Sequence, residues 1–416
     1  MAHEAYAAFL PRWQQVPGTG ERPARRGADG CFEVIEQLAG VALPASTWQD
    51  AVFASRVSDF HPGLLDELTT SGDVVWWGQA PLAGGDGVVC LAPAALASLL
   101  RTEPRDDGLG PVEEATLAVL AGGGGYFFRD IADRVSIALG LTADATIVEA
   151  LWTLVWSSRV TNDNWSALRS RLQGRPARTA SPRRRGRPAL PSRTGPPAAA
   201  GRWSALEAPS APPEARARAL GDALLDRYGI VTRGCAIAER IDGGFAAVYR
   251  VLSAFEETGR CQRVYAIEGL GAAQFAVPAA VDQLRQERVG STTVVLAATD
   301  PANAYGATLP WPAIPGVDVT HRPGRKAGAL VVLMDGSLTA YLEKGGRSLL
   351  AWTDDKDVAT SALGALSQSP LSSTGRRSPV TRVNGSSVEP NGTWAQSMLA
   401  AGFVATPQGY RPARTR

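Results

Sequence analysis

The apolar positions of residues 213–289 change their period within a short span. Leu220, Leu224 and Tyr228 recur at helical spacing, and Gly229 is placed to end that helix as its C′ residue. The β-branched "IVT" suits one bridging strand, and Thr232 can cap a second helix over 233–240. "IDGG" makes the next turn. Phe245, Val248, Leu252 and Phe255 lay one apolar stripe along a third helix, which Gly259 closes. "CQRVYAI" and "AAQFAV" read as the two strands of a hairpin around "EGLG". This order of elements is that of a winged helix, whose third helix ordinarily meets a duplex groove while the hairpin tip touches the backbone.

The pattern recurs. In residues 31–92, "CFEVIEQLAG" is followed by "ASTWQDAVFASRV", with Ser46 as its cap, then by "HPGLLDELTTSG" and the hairpin "DVVWWGQAPLAGGDGVVCLA". In residues 111–163, "PVEEATLAVLAGG", "YFFRDIADRV" and "ATIVEALWTLVWSSR" lead to the strand-like "VTND". Repeated units of this length predict a tandem array. After residue 290 the pattern turns to short strands, and Asp335-Gly336 marks a hairpin. Strands this dense predict a small closed or nearly closed barrel, followed by the helix "GTWAQSMLAAGF" and a closing strand. The fold class is therefore α+β: tandem winged helices, then a C-terminal β-barrel. The expected divisions are 1–105, winged helix with an N-terminal extension; 106–174, winged helix; 175–212, Arg/Pro-rich linker; 213–289, winged helix; and 290–416, barrel, helix and tail.

Composition narrows the setting. Of 416 residues, 45% are hydrophobic and 20% charged, and the net charge is +2, so any polyanion must be met by a local patch. Nothing approaches the ~20 apolar residues of a membrane span, and "MAHEAYAAFLPRWQQV" lacks the pattern of a signal peptide. Cys31, Cys90, Cys235 and Cys261 are scattered and the chain holds three histidines, which favours reduced thiols in the cytoplasm and no metal site. "GRPARTASPRRRGRPALPSRTGPPAAAGRW" carries arginines and prolines without an acid. It reads either as a solvated linker or as a basic strap on phosphates, with Arg183, Arg184 and Arg185 at its centre.

Several phrases carry a family resemblance. "LLDRYGIVTRGCAIAERIDGGFAAVYRVLSAFEETGRCQRVYAIEGLGAAQFAVPAAVDQLR", "FASRVSDFHPGLLDELTTSGDVVWWG", "ALWTLVWSSRVTND", "ATDPANAYGATLPWP", "HRPGRKAGALVVLMDG" and "GGRSLLAW" together resemble the C-terminal region of the bacterial long-form Lhr (large helicase-related) helicases. That region is itself similar to AlkZ-type DNA glycosylases, which combine tandem winged helices with a β-barrel. The resemblance implies DNA repair as the setting, a homo-oligomer, and an N-terminal helicase motor in the same full-length protein. The motor is not in this chain: "LAGGGGYFF" lacks the Lys-Ser or Lys-Thr of a phosphate-cradling loop. The chain looks like a C-terminal fragment of the longer protein.

The expected function is DNA binding and assembly, with single-stranded or helicase-loaded DNA as the partner and no cofactor or membrane. The alternative is a DNA glycosylase acting on a damaged or deaminated base, uracil being the guess that the family supplies. AlkZ-type enzymes carry Gln-x-Gln or Gln-x-Asp at a helix end, against which this chain offers Gln37-Leu38-Ala39, so Gln37 is the catalytic candidate and Ala39 counts against it. Arg322, Arg325 and Lys326, clustered in one turn, are phosphate-contact candidates. Gln274, a lone polar residue on the wing strand, is either a satisfied structural amide or a base contact. Arg250 is the only base on the third helix of residues 213–289, so that module is expected to act mainly as a scaffold.

Overall fold

The computed structural model describes residues 1–19, 24–104, 108–173, 195–271, 273–286, 291–314, 322–373 and 377–413. Arg183, Arg184, Arg185 and His321 lie outside these. No single helix among the described residues is long and apolar enough to cross a membrane. The chain forms two compact units: Met1–Arg25 with Ser46–Ser58 and Leu220–Arg416, and Arg26–Ala45 with Asp59–Ala219.

In the first unit, the expected winged helix is present. Helix Pro213–Tyr228, which begins just ahead of the unit, ends at Gly229 with a left-handed φ of 65°. A Cβ there would press within about 3 Å of the Phe9 and Trp13 rings, so glycine serves both the cap and the packing of the N-terminal helix His3–Trp13. Ile230–Val231, Arg233–Ala238, Gly244–Glu257, Gln262–Val264 and Gln274–Ala276 follow in the expected order. The two wing strands pair antiparallel, and Ile230–Val231 joins them as the third strand.

The C-terminal strands form one six-stranded sheet. Its order is Thr293–Ala297, Leu330–Met334, Ser337–Leu342, Ser348–Ala351, Arg382–Val383, Ser386–Ser387. A closed or nearly closed barrel was expected; among the described residues no pairing joins the two edge strands and no closed barrel is found, while most of the expected strand "GVDVTHRP" lies outside the described residues. The physical reason lies in its faces. Leu330, Val332, Ala340 and Leu349 pack with Leu363 and Leu366 of helix Lys356–Gln368 and with Met398 of helix Thr393–Ala400. Val331, Leu333, Tyr341 and Leu350 point the other way, into a core shared with Tyr6, Leu10, Leu252 and Phe275. A sheet covered on both faces has no interior to fill and gains nothing by curling shut.

Ser46–Ser58 belongs to this same unit, and its helical run begins at Ala45, one residue ahead of the expected Ser46 cap. Arg56 makes it fast. Its guanidinium donates to both carboxylate oxygens of Asp300, at 2.9 and 2.7 Å, and to Gln14 Oε1 at 2.9 Å. Arg56 and Asp300 are each 1% exposed.

The second unit holds two three-stranded sheets. One pairs Leu43–Pro44 and the hairpin Val74–Pro81/Gly87–Pro93. The other places Arg202–Ala205 between Tyr126–Phe127 and Val160–Asn162. The stretch expected as linker over 175–212 thus supplies the central strand of that wing. Trp203 explains why: its buried ring meets Trp152 edge-on at 5.6 Å, an apolar anchor that no free linker carries. The four cysteines are all unbridged and buried. Burial, with some help from Asp59, pushes the Cys31 thiol up to about 12, and burial with Glu256 pushes Cys261 to about 11, so both stay neutral.

Candidate nucleic-acid interface

The third module builds a groove from two helix starts. Thr232 caps the shorter helix, its hydroxyl accepting from the Gly234 amide at 3.1 Å, and this fixes Arg233 as the first helical residue. Gly243 and Gly244, with φ of 74° and 58°, turn the chain into the longer helix. Val248, Leu252 and Phe255 bury the stripe predicted for it, while Phe245 is only half-buried. Arg233, Gly243, Phe245, Ala246, Tyr249 and Arg250 line an open groove of about 700 Å³.

The groove's charge is uncommitted. Several arginines elsewhere are paired: Arg227 with Glu239, Arg260 with Asp222, Arg263 with Glu256, Arg202 with Asp163. Arg233 and Arg250 are exposed and have no hydrogen-bond or ion-pair partner among the described residues. The helix Gly244–Glu257 has no acid within its first turn, and Asp242 stands just ahead of its Gly243 cap.

The corresponding helices of the other modules are otherwise engaged. In the second unit, Trp156 of helix Asp144–Trp156 lies against Gly78 and Gly87 of the neighbouring hairpin. A Cβ on Gly87 would run into the Trp156 ring, so only glycine admits it. Helix Pro62–Ser71 carries Asp66 and Glu67 and no base, and Asp66 is bound to Arg169 and to the Trp165 amide.

The residues singled out from the sequence are scattered. Arg325 is turned inward, donating at 2.8 Å to the Asn303 carbonyl and at 2.9 and 3.1 Å to those of Thr299 and Asp300. Burial holds its guanidinium below its usual range, against the pull of Tyr228, Asp300 and Glu239. Lys326 lies 3.7 Å from Glu343, and Arg322 is exposed. Gln274 is 1% exposed; its Oε1 accepts from the amides of Ala266 and Ile267 and its Nε2 donates to the Ile267 carbonyl, the structural amide of the two readings. Gln37 ends helix Gly27–Gln37 half-buried, and Ala39 beyond it is packed in the core with Trp77 and Cys90. Among the described residues no cluster of histidine, cysteine or carboxylate could hold a metal ion. Arg233, Phe245 and Tyr249 were missed because the sequence reading counted only bases on the longer helix and assigned its aromatics to the core. The signal available was Thr232, whose cap sets where Arg233 stands.

Two family models, both described as "Large helicase-related protein, winged-helix domain", match residues 1–94 and 210–294. A Mycolicibacterium smegmatis protein named "Lhr helicase/ probable uracil glycosylase" is 43% identical across 98% of the chain. An Escherichia coli "Lhr helicase/uracil glycosylase" is 38% identical across the same share. The chain spans 28% of the length of each relative. The solved Streptomyces sahachiroi DNA glycosylase AlkZ shares the fold, with a TM-score of 0.51 over 92% of this chain and 99% of that one at 12% identity. The chain is thus similar over nearly its whole length to the C-terminal part of longer large helicase-related proteins, and residues 1–94 and 210–294 match that family's winged-helix domains.

Proposed function

We propose that this chain is the DNA-engaging and assembly region of an Lhr-type DNA-repair helicase, whose motor lies elsewhere in the full-length protein. One observation carries the reading: the third module leaves its groove open, with Arg233 and Arg250 unpaired, while the other two modules have committed the corresponding helices. Winged helices contact DNA from that face. Arg322, exposed in its turn, is a secondary phosphate contact; Arg325 is committed internally and Lys326 has Glu343 beside it. Binding of purified protein to labelled DNA should weaken steeply with salt and show little sequence preference. Failure to bind DNA at low salt would remove this reading.

Assembly draws support from the second module. Ile137 and Leu141 are 84% and 104% exposed at the end of helix Phe128–Leu139, and Phe127 is exposed at its start. Large apolar side chains left in water mark a surface that is covered in the working protein. Light scattering should find a species larger than a monomer, and Ile137→Glu with Leu141→Glu should reduce it to a monomer. A monomeric parent chain at micromolar concentration counts against a homo-oligomer formed by this region.

A second reading is favoured by the relatives' names and by the likeness to the AlkZ fold: excision of a base, uracil first among them. Gln37 is the residue to test, although Ala39 offers no second polar group. Incubation with uracil-containing and undamaged oligonucleotides decides it. Abasic sites formed by the parent and lost in Gln37→Ala would establish excision at that helix end, and their absence would leave binding alone.

A further inference from the structure

The groove's composition says which form of DNA it takes. Its floor is aromatic and held in place. The Phe245 and Tyr249 rings stand 6.2 Å apart, and Tyr249 meets the buried Phe275 ring edge-on at 5.5 Å. Arg263 lies 5.3 Å from the centre of the Tyr249 ring and is itself fixed by Glu256 at 2.9 Å. Tyr249 is therefore oriented before any ligand arrives. The rim carries the two unpaired guanidiniums, Arg233 and Arg250, and Gly243 puts no side chain at the mouth.

What the helix lacks is equally informative. Its exposed positions are Ala246, Arg250, Ala254 and Glu257, one face at helical spacing with a single long donor. Base edges in a major groove are read by several donors and acceptors, commonly in bidentate pairs. A half-buried aromatic floor suits a different task, since stacking needs a base already out of its duplex. Positive rims flanking aromatic rings are how single strands are held without sequence preference.

We infer that this groove binds single-stranded DNA, one base stacking on the Phe245 ring against the edge of Tyr249, which stands at 71° to it, while Arg233 and Arg250 hold the flanking phosphates. The inference rests on the DNA engagement proposed above and assigns it a strand form and a subsite. For a region coupled to a motor that separates strands, the site would retain the displaced strand.

The test uses the full chain with a fluorescent deoxythymidylate oligonucleotide and a duplex of equal length, titrated at several salt concentrations. The parent should bind the single strand more tightly than the duplex. Replacing both Arg233 and Arg250 with alanine should weaken binding and make the log–log salt slope shallower by about 1.4, at roughly 0.7 per phosphate contact on a single strand. Phe245→Leu keeps an apolar contact beside Tyr249 but removes the π face; it should weaken single-strand binding about tenfold and leave the slope unchanged. Phe245→Tyr should restore it. Unchanged affinity and slope in these variants, with a parent that binds, would overturn the groove while leaving the proposed function standing. Equal losses on duplex and single strand would show a duplex reader instead. A parent that binds neither DNA would remove both readings.

Discussion

Asp300→Ala is expected to lower the unfolding free energy of its unit by about 3–5 kcal/mol, the cost of leaving one member of a buried ion pair uncompensated. Arg56 and Asp300 are each 1% exposed and meet through two hydrogen bonds, so removing the carboxylate strands a guanidinium away from water. Only neutral acceptors remain: Gln14 at 2.9 Å, the Ser55 hydroxyl at 3.2 Å and the Val52 carbonyl at 3.5 Å. The turn is weakened as well, because Asp300 Oδ1 accepts from the Ala302 amide at 2.8 Å. Urea unfolding monitored by tryptophan fluorescence reads the change. A loss below about 1 kcal/mol, the range of exposed pairs, would mean that water reaches this site. The same geometry leaves Asp300 unable to activate a water for base excision: both of its oxygens are occupied by structure.

Phe255→Ala should cost about 3–5 kcal/mol, the usual price of emptying a buried aromatic site. Its ring is 5% exposed in the core shared by Leu224 and Leu252, and Arg260 lies 4.2 Å above its centre. Arg250→Ala, on the exposed face of the same helix, should change stability by no more than about 0.5 kcal/mol. Binding should show the opposite ranking. The sequence alone placed Arg250 below Arg322, Arg325 and Lys326 as a DNA contact. The proposal now places it above them, because Arg325 directs its donors to four backbone carbonyls, Lys326 has Glu343 beside it, and Arg250 lines the groove with no such partner. Thermal melts and DNA titrations on Phe255→Ala and Arg250→Ala separate the two roles.

The third winged helix was legible because each of its elements carries its own local signal. Thr232 caps, Gly229 terminates, and Val248, Leu252 and Phe255 repeat at helical spacing. The C-terminal sheet was less legible. "ALVVLM" is apolar at every position rather than at alternate ones, which is the mark of a strand buried on both faces; reading it as a barrel strand ignored that. The strand Arg202–Ala205 was hidden because its partners, Tyr126–Phe127 and Val160–Asn162, lie far back in the chain and no local pattern encodes such a pairing. The Arg56–Asp300 pair spans 244 residues, and no spacing rule reaches across that distance. Gln37 and the turn at Arg322 were chosen by motif and by charge density, and neither reveals where donors point. The groove was missed for the same reason: Arg233 and Arg250 stand on different helices, and only the glycine turn at Gly243 and Gly244 brings them to one rim.

Ultraviolet crosslinking of the full chain to a single-stranded oligonucleotide, followed by tryptic digestion and mass spectrometry, tests the central claim most directly. Cleavage after Arg240 and Arg250 releases the segment IDGGFAAVYR, which contains both aromatic residues of the groove floor. The account predicts that this peptide carries the nucleotide adduct at Phe245 or Tyr249, and that Arg233→Ala, which leaves the cleavage sites at Arg240 and Arg250 intact, depletes the adduct. Adducts confined to the turn at 322–326 or to the second unit, with the 241–250 peptide recovered unmodified, would contradict it.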